Sequence, residues 1–133
     1  MAFPKQADGV IDGDDWDTVI NGLETRLGAG AVRTKDSVTL GVGATTFAVN
    51  GAYTTFIELT GDAGTNTVAT ITGAVTGQII TLLFVDGLIT ITDTDAHGAD
   101  TVDLSAAFTS ADDAVLQLIY DGVSWYEVSR SLN

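Results

Sequence analysis

The chain has 133 residues, enough for one domain with a substantial core, and 45 % of them are hydrophobic. Its formal net charge is -13, from 18 acids against 5 bases. That balance argues against nucleic acid and against an anionic membrane surface, because both are bound through cationic side chains, and the absence of cysteine excludes disulfides, thiolate metal sites and thiol nucleophiles.

Fifteen glycines with a single proline point to many tight turns, not to a disordered linker. No apolar run is long enough to span a bilayer, and Met-Ala-Phe-Pro-Lys at the start lacks an apolar signal core. The expectation is a soluble chain that is not processed by the general secretory route. The bases are Lys5, Arg26, Arg33, Lys35 and Arg130. Four of the five lie at or before Lys35, so a mixed-charge N-terminal end precedes an acidic body.

Residues 1–13 read as an extended arm. Pro4 blocks a helix there, and Asp8-Gly9 and Asp12-Gly13 are turn pairs. A helix is predicted from Asp14 to Leu27. Asp14 or Asp15 caps it, Trp16, Ile20, Leu23 and Leu27 share one face, and Gly28 ends it. So short an amphipathic helix needs a partner for its apolar face. The chain thus divides into an arm plus helix, residues 1–35, and a β domain, residues 36–133.

From Val38 onward the hydrophobic period is two, or the apolar run is continuous. Strands are predicted over Ser37–Leu40, Thr45–Val49, Tyr53–Leu59, Thr67–Ile71, Gln78–Val85, Ile89–Thr92, Thr101–Leu104, Ala114–Tyr120 and Ser124–Ser129, all rich in Val, Ile, Thr and aromatics. Asn50-Gly51, Asp86-Gly87 and Asp121-Gly122 recur at nearly equal intervals and are pairs of the kind that close two-residue hairpins. They form a weak threefold echo that ordinary hairpin grammar also explains. The run Ile79–Val85 is apolar on both faces, which implies burial on both sides, one in the core and one against a second sheet or a subunit. The hairpin pairs favour a mainly β fold, an antiparallel-rich β-sandwich of jelly-roll type with one short N-terminal helix. The alternative is a short trimeric β-helix or β-prism.

The chemistry-bearing residues are few. Asp93, Asp95 and His97 alternate within five residues, so strand geometry would aim all three to one side as a divalent-cation site, with calcium as the natural candidate. A polar turn after a strand explains the same residues. Gly61 to Asn66 also has the composition of a cation loop, and equally of a β-turn. A Ser-His-Asp triad would have to use His97, and no Gly-x-Ser-x-Gly elbow, Walker loop or Gly-x-Gly-x-x-Gly is present. The expectation is a non-catalytic protein without a required cofactor. Trp125 and Tyr126 are adjacent on one strand and face opposite sides. Core and interface roles account for them, while Trp125 and Tyr53 are the candidates for stacking on a sugar ring.

One stretch resembles a known class of module. Gly77-Gln-Ile-Ile-Thr-Leu-Leu-Phe, Ile89-Thr-Ile-Thr-Asp, Val102-Asp-Leu and the end Tyr120-Asp-Gly-Val-Ser-Trp-Tyr-Glu-Val-Ser-Arg-Ser-Leu-Asn133 resemble the C-terminal module of tailed-bacteriophage virion proteins. These are tail fibres, tailspikes and small capsid-associated proteins. The resemblance covers about residues 75–133. It implies a virion structural component, commonly a homotrimer, and brings no catalytic residues. On this expectation the protein, made in the host cytoplasm, is a homotrimeric decoration or head-spike protein on the outside of the phage head, touching the major capsid protein or another virion protein. Phe3, Pro4, Trp16, Ile20, Leu23, Leu27, Arg26, Arg33 and Lys35 would dock it, and Ile80, Leu82 and Phe84 would line the trimer interface. The alternative is a glycan-binding, receptor-binding module of a tail fibre or tailspike.

Overall fold

A computed structural model describes residues 34–133. The arm expected over 1–13 and the helix expected over 14–27 lie outside the described residues, and with them Phe3, Pro4, Trp16, Ile20, Leu23, Arg26, Leu27 and Arg33. The described residues are mainly β and contain no helix, so none of them forms one long and apolar enough to cross a membrane. They form eleven strands: β1 (Thr34–Thr39), β2 (Thr46–Ala48), β3 (Thr54–Thr60), β4 (Asn66–Val68), β5 (Thr70–Thr72), β6 (Ile79–Phe84), β7 (Ile89–Ile91), β8 (Val102–Asp103), β9 (Phe108–Thr109), β10 (Val115–Tyr120) and β11 (Trp125–Ser131). Each stretch predicted from alternation is a strand, with ends displaced by a few residues. The predicted strand Thr67–Ile71 is two strands, β4 and β5, broken at Ala69, whose N–H donates to the Thr45 carbonyl of the preceding turn at 2.8 Å.

The strands form three sheets, ordered β1-β3-β6-β10-β11-β8, β2-β5 and β4-β7-β9. Five of the eight pairings among the described residues are parallel: β1 with β3, β3 with β6, β2 with β5, β4 with β7, and β8 with β11. Lys35 lies beside Phe56, and Phe56 beside Thr81, so the chain returns to the same sheet after steps of 21 and then 25 residues (35 to 56, 56 to 81). The first return passes through β2 of the second sheet, and the second through β4 and β5 of the other two sheets. The result is a solenoid-like stack of short rungs. Its last rung reverses: β9 runs antiparallel to β7 and β10 antiparallel to β6. β11 then comes back antiparallel to β10 and parallel to β8.

This arrangement departs from the expected antiparallel sandwich, and the reason lies in the turns. Only Asp121-Gly122 closes a hairpin, between β10 and β11. Asn50-Gly51 lies between β2 and β3, and Asp86-Gly87 between β6 and β7, and in each case the flanking strands belong to different sheets. These two pairs turn the chain around a corner. A tight turn of this composition constrains the backbone locally, but it does not decide whether the next strand pairs with the last.

The rungs are held together in two ways. Inward side chains stack across them: Ile57 and Leu59, Ile80, Leu82 and Phe84, Leu116 and Leu118 are all fully or almost fully enclosed. Phe108 meets Phe84 at 5.0 Å between ring centres, and Trp125 meets Tyr120 at the same distance. At the corners, polar side chains tie one rung to the next, those of Asn66, Gln78 and Ser110 buried. Asn66 Nδ2 donates to Gly41 O at 3.0 Å, while its Oδ1 accepts from Asp62 N. Gln78 Nε2 donates to Thr54 O at 2.8 Å, and Asp86 Oδ2 accepts from Gly61 N at 2.8 Å. Ser110 Oγ donates to Asp86 O and accepts from Ile89 N. Gly73 has φ of +82°, and a Cβ there would meet Val49 O at 2.7 Å, so this corner admits no side chain.

Trp125 joins the ends of this construction. It is wholly enclosed, and its indole N–H donates to Ile71 O of β5 at 2.8 Å, across 54 residues of chain. Replacing it with Phe removes the donor, leaves a buried carbonyl without that partner and opens a void. Trp125→Phe is expected to cost about 2–3 kcal/mol, read as a lower urea midpoint at unchanged slope.

Candidate interaction surface

Alternation along the β strands decides which apolar residues remain outside. β6 was expected to be buried on both faces, with Ile80, Leu82 and Phe84 at a trimer interface. All three are fully enclosed within the single chain. A side chain already surrounded by its own chain has no area left to give a partner, and it is the alternate residues that reach the surface. Ile79 and Val85 are 44 % and 46 % exposed, and Thr81 and Leu83 are half-buried. Neighbouring strands extend the same face in register: Phe56 beside Thr81 beside Gln117, Glu58 beside Leu83 beside Val115, and Ile79 beside Ile119. A shallow groove of about 420 Å³ runs between Thr55, Phe56, Ile79, Thr81 and Gln117.

Charge is nearly absent from this face. Glu58 carries its one acid, and Lys35 Nζ holds that carboxylate at 2.7 Å. The hydrogen bond from Lys35 pulls the Glu58 carboxyl below its ordinary pKa against the opposing effect of burial. Lys35, expected to dock on a capsid, is thus engaged with its own sheet. Of the residues 34–133, twelve are Asp or Glu and two are Lys or Arg. The other acids sit on turns, on β8, on β11, and on β1 at Asp36, which lies in register with inward Ile57 and accepts from Asn50 Nδ2 at 2.7 Å.

The expected divalent-cation triad is only partly assembled. Asp93 and Asp95 come together with Asp103, with one carboxylate oxygen of each within 4.8 Å of the others. Asp93 Oδ1 also accepts from Leu104 N at 2.9 Å. His97 is not a member of that group. Its Nδ1 lies 2.7 Å from the Tyr126 hydroxyl and 3.9 Å from Asp121 Oδ2. Burial, the negative charge of Asp121 and its hydrogen bond raise the Tyr126 pKa. Backbone N–H groups of Ser124 and Val123 lower that of Asp121. Asp103 was not foreseen because it joins Asp93 and Asp95 through the fold, not through local spacing. The Gly61–Asn66 loop uses its polar groups internally: Asp62 Oδ1 accepts from Gly64 N and Asn66 is a buried corner tie. Asp62 Oδ2 is enclosed and has no hydrogen-bond partner among the described residues.

Of the two aromatics considered for sugar stacking, Trp125 is corrected outright. It is fully enclosed and cannot offer a ring face to a ligand. Tyr53 is 43 % exposed.

Several positions of the terminal segment that carries the virion-module resemblance have a structural role. Tyr120 Oη donates to Asp100 Oδ1 at 2.9 Å, and burial followed by that carboxylate raises the Tyr120 pKa. Asp121 Oδ1 accepts from Val123 N and Ser124 N and shapes the turn. Gly122 has φ of +107°, a conformation that glycine adopts without strain. Glu127 accepts from Arg130 Nε and Nη2 and from Ser105 N and Oγ. Arg130 also donates to Ala106 O and lies 5.5 Å over the Phe108 ring. Together they clamp β11 to the loop between β8 and β9. Comparison with protein-family models, with curated proteins and with solved structures finds no match to this chain.

The clamp predicts an acid-sensitive step. Arg130, then the Ser105 donors, hold the Glu127 carboxyl down at about 2 against burial that opposes them. A depressed carboxyl stabilises the fold above its unfolded pKa and loses that contribution as pH falls through the folded value. Wild-type stability is therefore expected to fall between about pH 4.5 and about 2. Glu127→Gln should be less stable at neutral pH by about 2 kcal/mol and should flatten that part of the profile, measured by urea melts across pH.

Proposed function

We propose that this chain is a non-catalytic structural protein of a tailed-phage virion, a homotrimeric decoration or head-spike protein bound to the outside of the head. The observation that carries the reading is the concentration of the module-like residues, Tyr120 to Ser131, in a hairpin that closes a rigid acidic β stack. Tyr120, Asp121, Trp125, Glu127 and Arg130 among them are occupied with holding the body together, as expected of a structural part whose role is to project from a surface. Supporting it, the body carries a large excess of acids on its turns and one nearly uncharged apolar face. In this reading the β stack is the finer fold of the alternative considered from sequence, a short trimeric β-helix, and residues 1–35 dock the body on the major capsid protein or another virion protein.

The glycan-binding reading loses Trp125 to the core and retains only Tyr53 as a stacking residue. No second observation favours it. Loss of cell adsorption on Tyr53→Ala would be required to restore it.

Docking is tested directly on phage heads. A chain lacking residues 1–27 should keep its β circular-dichroism spectrum and its melting transition but lose co-sedimentation with heads that bind the full chain. Undiminished decoration by the shortened chain would remove the docking assignment.

A structural divalent cation belongs to this reading as a tie between Asp93, Asp95 and Asp103. Three carboxylates at that spacing repel one another, and a hard cation relieves the repulsion with oxygen ligands of the right kind. Millimolar calcium is expected to raise the thermal midpoint of the wild type and leave Asp103→Asn unmoved. An unchanged wild-type midpoint would take the cation out of the account.

A further inference from the structure

We infer that the outer face of β3, β6 and β10 is the surface through which copies of this chain associate, so that a second copy covers Phe56, Ile79, Leu83 and Ile119. The inference deepens the reading of the chain as a self-assembling virion protein and rests on it for the setting, but its evidence is the chemistry of the face.

Two observations select another copy as the occupant. The first is electrostatic exclusion. With twelve acids against two bases in residues 34–133, two copies approaching through their turns would repel each other over the whole encounter. The β3–β6–β10 face is where that repulsion is smallest, because its only acid, Glu58, is neutralised by Lys35 at 2.7 Å. A basic partner would be drawn to the acidic turns, leaving this face uncovered. The second observation is self-complementarity. The face presents apolar side chains in rows, with Ile79 at 44 % and Ile119 at 37 % exposure side by side in register. Between them lie uncharged polar groups, Thr81 and Gln117, already within 3.4 Å of each other. Its two charges are of opposite sign and paired with each other at one edge, so the face carries no net charge to oppose a second copy. An apolar patch of this kind is what subunit contacts bury. In a threefold assembly each copy would turn this face to the axis.

The test uses the purified full chain in light scattering and sedimentation, at low and high salt. The wild type is expected at a multiple of the 13.8 kDa chain mass, with association strengthened by salt as like-charge repulsion is screened. Ile79→Lys and Ile119→Lys, each made separately, should bring the mass to that of one chain with the far-UV circular dichroism unchanged. Lysine is chosen because it lowers the net negative charge, so dissociation cannot come from added repulsion. Val42→Lys, at a position 96 % exposed in the β1–β2 turn, should leave the mass as it is. A wild type that stays at one chain at every salt concentration overturns the inference, as do lysine variants that keep the wild-type mass. So does association that appears only when another virion protein is added. Binding to heads separates the two claims. Self-association through this face without head binding would sink the virion reading alone, and head binding by single chains would sink this inference and the homotrimeric part of that reading while leaving the head-bound role standing.

Discussion

A stack of short strands has a problem at each corner. The backbone leaves one sheet, turns, and enters another, and at the turn its N–H and C=O groups have no neighbour strand to pair with. In this protein the neighbouring rung supplies the missing partners through side chains. Asn66, Gln78, Asp86 and Ser110 each reach from their own turn to the backbone of another. Asn66 and Gln78 are almost completely enclosed, so each must be satisfied or the corner is penalised. The parallel registers of β3 on β1 and β6 on β3 depend on these ties. A one-residue slip would turn Ile57, Leu59, Ile80 and Leu82 outward and leave the corner groups unpaired at once.

The reversal of the last rung follows from the same demand. A parallel stack that simply stopped would present an open edge to solvent, which invites pairing with another chain. Here β9 and β10 turn back, β11 folds over β10 and returns to β8, and Trp125 fixes the result to β5 from inside. The acidic and aromatic residues of the final segment work at this closure: Tyr120 on Asp100, Asp121 in its turn, Glu127 with Arg130 over Phe108. Arg130 is one of only two bases in the described residues, and both are paired with acids, which leaves the surface almost purely negative.

The sequence by itself determined a good deal. Period-two alternation and β-branched composition located the strands, because a pleated, half-buried strand needs them whatever its neighbours are. The lack of cysteine excluded disulfide and thiolate chemistry for the same reason: these depend on which atoms are present, not on where they lie. Tertiary structure alone decided the rest. An apolar run such as Ile79–Val85 does not say which alternate residues point inward. That parity is set by the register with β3 and β10, and it placed Ile80, Leu82 and Phe84 in the core. Asp-Gly and Asn-Gly pairs mark turns, but whether a turn makes a hairpin or a corner depends on the partner of the following strand, dozens of residues away. The same long-range pairing took Trp125 into the core, drew His97 to Tyr126, and brought Asp103 to Asp93 and Asp95. Local spacing carries no record of such contacts, since they exist only once the rungs have stacked.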